Sequence, residues 1–117
     1  MHQGKDIPLV LAGSNMYKAI IALTAHKFGC AGIVNSAGDI MGVITDGDIR
    51  RAMDSNFLTK SVEEVMNSNI ITIGASSYVA EALALMEKHK ITTLFIVQNN
   101  KPQGIIHMHD LINLGIS

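Results

Sequence analysis

The chain has no tryptophan and only three phenylalanines and two tyrosines, so the core it can build is aliphatic, made of Ile, Leu, Val, Met and Ala. A single cysteine excludes an internal disulfide. No basic run is longer than Arg50-Arg51, and nine basic residues against ten acidic ones leave a net charge of -1. That balance gives no electrostatic footprint for duplex nucleic acid. No apolar run reaches the roughly 18 residues needed to span a bilayer, so no membrane partner is expected. Residues 1–6 are polar and lack the apolar stretch of a signal peptide, which makes the cytoplasm the expected location. At 117 residues the chain holds one ordinary domain's worth of material.

What the chain does have is one pattern twice. Gly42-Val43-Ile44-Thr45-Asp46-Gly47-Asp48-Ile49 recurs as Gly104-Ile105-Ile106-His107-Met108-His109-Asp110-Leu111. Each copy is a glycine, two β-branched residues, a polar side chain, and a carboxylate three positions later followed by aliphatics. Ser14, Ala19, His26, Ile33 and Val34 pair at a constant offset with Ser77, Ala82, His89, Ile96 and Val97. This is an internal duplication, and two half-length copies must share the available core.

Periodicity gives each copy the same order of elements. Ile7 to Leu11 reads as extended, Ser14 as a helix N-cap, and Met16, Ala19, Ile20 and Leu23 as one helical face ending near Gly29. Ala31 to Val34 and Ile40 to Thr45 read as strands around a turn, and Asp46 as the cap of a short helix through Ala52. The second copy repeats this with Ile70 to Ile73 extended, Ser77 as N-cap, and Val79, Ala82, Leu83 and Met86 on a helix. Thr92 to Val97 and Gln103 to His107 follow as strands, and Asp110 to Leu114 as a helix. The predicted fold class is α/β (α+β), two β-α-β-β-α repeats related by a pseudo-twofold axis, with the strand-to-helix turns facing a shared cleft. Residues 1–54 form the first repeat, 55–64 a polar connection and 65–117 the second.

Those turns are the candidate sites. A strand ending in Thr45 and leading into a helix sets a hydroxyl beside free N–H groups and the positive end of a helix dipole, conditions that suit a phosphate. Asp48, three positions on, can accept from both hydroxyls of a ribose-like diol. The plainer alternative is that Asp46 caps the helix and Asp48 complements its dipole. The duplication favours binding, because Asp110 is retained although Met108 stands where Asp46 did. His107 replaces the threonine and can donate to a phosphate or carboxylate, and His109 after it is a further candidate ligand-binding residue. His107, His109 and Asp110 lie too close together across the strand-to-helix reversal to make a metal site, and no distant Cys or His cluster completes one. Arg50 or Arg51 can turn toward an acidic ligand, with a solvated helix face as the alternative. Ile7-Pro8 and Ile70-Ile71 can flank a base or pack as edges. His26 and His89 close equivalent helices and read as structural, and Cys30 has no general-base partner. No catalytic residue or cofactor is expected.

The duplicated pattern resembles a tandem cystathionine-β-synthase (CBS) domain pair, a Bateman module, over essentially the whole chain. Residues 1–8, Thr45-Asp46-Gly47-Asp48-Ile49-Arg50-Arg51 and His107-Met108-His109-Asp110-Leu111 are similar to the carboxy-terminal CBS pair of sugar-isomerase (SIS) type D-arabinose 5-phosphate isomerases. The resemblance implies a regulatory module whose amino-terminal SIS domain, which interconverts ribulose and arabinose 5-phosphates for Kdo and lipopolysaccharide synthesis, is absent from this chain. It implies a nucleotide or nucleotide-sugar ligand, with CMP-Kdo a feedback candidate, held by Thr45 and Asp48 at one turn and His107 and Asp110 at the other. It also implies a homodimer or higher homo-oligomer. The competing expectation is a ligand-free module that dimerises and stabilises the isomerase oligomer.

Overall fold

The computed structural model describes residues 7–26, 29–74 and 79–108. Two compact units divide the chain, Pro8–Ile70 and the remainder. Both repeat one plan: a short strand parallel to a central strand, which pairs antiparallel with a third.

In the first unit β1 (Leu9–Leu11), β2 (Cys30–Val34) and β3 (Ile40–Thr45) lie in that order. Strand β2 is central and almost wholly buried, so it reads as a continuous apolar run. Helix α1 (Met16–His26) presents Met16, Ala19 and Leu23 to Val10, Ala31, Ile33 and Ile44, the stripe expected from its periodicity. Gly29, just before β2, has φ +76, in the left-handed region that favours glycine. The N-cap is Asn15 and not Ser14: Asn15 Oδ1 accepts from the Lys18 N–H at 3.3 Å. Ser14 is engaged elsewhere, its carbonyl accepting from the Val62 N–H at 2.9 Å.

That contact shows what 55–64 does. Expected as a polar connection, this stretch forms a 3₁₀ turn (Phe57–Thr59) and helix α3 (Val62–Val65), and it sends Phe57 and Val62 into the first unit's core. Met16 N–H donates to Lys60 O at 2.8 Å, and Asn15 bridges Ser61. Beyond α3, Asn67 bridges Val43 on the edge of β3. The polar residues of the stretch carry the reversal at its surface, while two apolar side chains suffice to anchor it. Helix α2 (Asp46–Ala52) lies between β3 and this stretch.

The second unit has β4 (Thr72–Ile73), α4 (Val79–His89), β5 (Thr93–Gln98) and β6 (Lys101–His107), with Ile73, Ala82, Met86, Leu94 and Ile96 as its core cluster. Asn99 and Asn100, at φ +53 and +68, make the two-residue turn of the β5–β6 hairpin, where asparagine tolerates the left-handed region. The expected N-cap Ser77 and the helix Asp110 to Leu114 lie outside the described residues. No described helix is long and apolar enough to cross a membrane.

Two outcomes follow. Phe57→Ala lowers stability by about 3–5 kcal/mol, the range for emptying an aromatic core site, which urea unfolding monitored by circular dichroism will read. Asp54 pairs with Lys60 at 2.9 Å, and that hydrogen bond holds its carboxyl below the ordinary value of 3.8. A depressed carboxyl stabilises the fold above its unfolded value and loses that contribution as pH falls through its folded value. Asp54→Asn therefore narrows the difference in unfolding midpoint between about pH 6 and about pH 3.

Candidate functional site

Strand β3 delivers Thr45 to the sheet end opposite Cys30, in extended backbone at φ -110 and ψ 167. The chain turns there into α2, and Thr45 is its N-cap, where Asp46 was expected. Both residues are good caps, but Thr45 keeps the extended dihedrals a cap requires while Asp46 is already helical. Thr45 and Asp48 then satisfy one another. The Asp48 N–H donates to Thr45 Oγ1 at 3.2 Å, and the Thr45 N–H donates to Asp48 Oδ2 at 2.9 Å. The Thr45 hydroxyl stands 3.1 Å from Asp48 Oδ2. This is a capping box with aspartate as its reciprocal member.

The other carboxylate oxygen has a different partner. Arg51 Nη2 donates to Asp48 Oδ1 at 2.5 Å. Thr45, Asp48 and Arg51 are thus brought together, while Arg50 is exposed on the same helix. Gly47, which the sequence reading did not single out, lets the guanidinium lie over the turn: a Cβ there would stand 3.3 Å from Arg51 Nη1. A glycine four residues before an arginine on a short, seven-residue helix was the available signal.

In the second unit His107 occupies the place of Thr45. It ends β6 opposite Thr93, as Thr45 ends β3 opposite Cys30, and it is half-buried. Asp110 and His109 lie outside the described residues. Ile7 and Pro8 are buried, and Ile70 and Ile71 half-buried. Among the described residues no three His, Cys, Asp or Glu side chains gather to hold a metal. An open groove of the second unit is lined by Leu83, Met86, Ile91 and Met108 beside Glu87 and Lys90. Its walls are aliphatic and lack the convergent polar groups that orient a polar ligand.

A family model described as the CBS domain matches residues 4–55 and again 62–116. Arabinose 5-phosphate isomerase KdsD of Pseudomonas aeruginosa is 35% identical over 119 residues, which cover 99% of this chain and 36% of that protein. The KdsD of Escherichia coli K12 is 31% identical over 118 residues, with 99% and 36% covered. The chain thus spans about a third of the length of these curated relatives. Among solved structures, the CBS domain pair of protein MJ0100 in complex with 5'-methylthioadenosine and S-adenosyl-L-methionine matches at TM-score 0.83 and 26% identity, covering 97% of this chain and 90% of that one. The CBS-domain protein ATU1752 of Agrobacterium tumefaciens matches at TM-score 0.84 and 23% identity, covering 97% and 87%, and shares the fold.

Replacing the cap tests the local geometry. Thr45→Val lowers stability by about 1 kcal/mol through loss of the hydroxyl partner, read as a shifted urea midpoint, and hydrogen exchange at the amides of α2 speeds up.

Proposed function

The chain belongs to the CBS domain family as a tandem pair, and on that premise we propose that it is a regulatory module for a nucleotide or nucleotide-sugar. CMP-Kdo is the first candidate ligand. Thr45 and Asp48 serve one turn, with Arg50 or Arg51 meeting ligand charge, and His107 and Asp110 serve the other. The observation that carries this is the likeness to the MJ0100 CBS pair, solved with two adenosyl compounds. The fixed Asp48 carboxylate adds to it, since a carboxylate held by its own turn is pre-organised to accept from a ribose diol.

In the parent protein the module relays its occupancy to an amino-terminal SIS domain with D-arabinose 5-phosphate isomerase activity, a role supported by the likeness to the KdsD proteins. It acts there in the cytoplasm, as a homodimer or higher homo-oligomer. Ligand can control the enzyme only through different affinities for two states of the module, and enzyme state must change ligand affinity by the same factor.

A second reading, a ligand-free dimerisation module, is favoured by the exposed apolar side chains Tyr17, Ile21, Met53 and Leu58 of the first unit. Calorimetric titration separates the two. Saturable binding of CMP-Kdo, with CMP, AMP and ATP as comparators, and at least tenfold weaker binding by Asp48→Ala or Asp110→Ala, is the expected outcome. No saturable binding of any of the four, in a chain whose mass in solution is that of a dimer, supports the second reading and overturns the first.

A further inference from the structure

The two oxygens of Asp48 serve different partners. Oδ2 closes the turn on Thr45, whereas Oδ1 accepts from Arg51. The carboxylate side chain is 15% exposed and the arginine 73% exposed. The turn fixes the aspartate, so the arginine is the partner that can leave. Its guanidinium lies over Gly47, within 3.3 and 3.7 Å of where a Cβ would stand, a point 3.6 Å from Thr45 Oγ1. It therefore covers the same turn that a ribose diol on Asp48 would use. In sequence, Asn113 of the second repeat stands where Arg51 does in the first.

We propose that Arg51 determines specificity at this turn by exchanging counter-ions: it holds Asp48 Oδ1 in the free protein and passes to an anionic group of the ligand when a diol takes that oxygen. This rests on the nucleotide-binding function proposed above. A neutral nucleoside must break the Arg51–Asp48 pair and leaves the guanidinium unpaired. A nucleotide supplies a phosphate, which a guanidinium fork can meet with two parallel hydrogen bonds. The arrangement disfavours neutral ribosyl compounds and favours their phosphorylated counterparts, without any change in the groups that read the sugar.

The test is calorimetric titration of the full chain and of its Arg51→Ala and Asp48→Ala variants with cytidine and adenosine, and with CMP, AMP and CMP-Kdo. Arg51 is exposed, so its removal leaves the core intact. The wild type is expected to prefer each nucleotide to its nucleoside. In Arg51→Ala the nucleosides bind up to about fivefold more tightly, the range for releasing an exposed ion pair, and the nucleotides bind about tenfold more weakly, the range for losing a charge-assisted hydrogen bond. An unchanged nucleotide preference, or nucleosides that bind Arg51→Ala no better than wild type, overturns the exchange alone. Nucleotide binding abolished by Asp48→Ala keeps the binding function in force in either case. Failure of the wild type to bind any of the five overturns that function and this inference with it.

Discussion

A three-stranded sheet with one long helix on it cannot close its own core, and the first unit depends on how that shortage is met. The sheet offers Val10, Ala31, Ile33 and Ile44, and α1 covers them with Met16, Ala19 and Leu23. Phe57 and Val62, from beyond the repeat, complete the cluster. The same stretch closes the edge of β3, where Val43 and Asn67 exchange backbone hydrogen bonds at 3.0 and 2.9 Å. Gly42 makes this approach possible, since a Cβ there would lie 2.6 Å from Met66 Sδ and 3.0 Å from the Asn67 carbonyl. An edge strand paired in this way is also removed from association with other chains. Because β3 ends at Thr45, the segment that completes the core also steadies the turn at which the candidate site stands.

The duplication and the period of its elements were legible because both rest on strong signals. Met16, Ala19 and Leu23 fall on one helical face and are buried there, and the apolar runs around Ile33 and Ile96 are central strands. The caps were not legible to the residue. Ser14 precedes Asn15, and Thr45 precedes Asp46, so each pair offers two good caps side by side, and tertiary contacts decide between them. Val62 and Lys60 hold the backbone of 14–16, and pairing with Cys30 keeps Thr45 extended. The stretch 55–64 was expected as a polar connection, and its docking onto the first unit was not legible for a related reason. Its composition is polar on average, yet docking depends on two side chains, Phe57 and Val62, whose spacing follows neither a helical nor a strand period.

Thr45 and Asp48 came together as expected, but for a reason that needs no ligand. Each satisfies the other, and a capping box of this kind occurs at helices that bind nothing. The two roles are nevertheless compatible on one carboxylate. Capping uses Oδ2 and leaves Oδ1 to Arg51, so a ligand that displaces the guanidinium does not dismantle the helix terminus. A side chain already fixed by capping loses little further freedom when it binds, which lowers the entropic cost of association.

The second copy keeps the pattern with one exchange. In a Thr–Asp capping box one hydroxyl both accepts from the helix N–H and lies within hydrogen-bond distance of the carboxylate. His107 stands at the structural position of Thr45, opposite Thr93 as Thr45 is opposite Cys30. An imidazole places its two nitrogens on opposite sides of a ring, so it cannot serve both bonds from one atom as the hydroxyl does. The reciprocal bond of the box, from the N-cap N–H to the carboxylate, comes from the backbone and does not depend on the hydroxyl. Asp110 is present all the same. In the binding function proposed above that carboxylate accepts from a ligand hydroxyl, and an imidazole in place of the hydroxyl adds a donor for an anion.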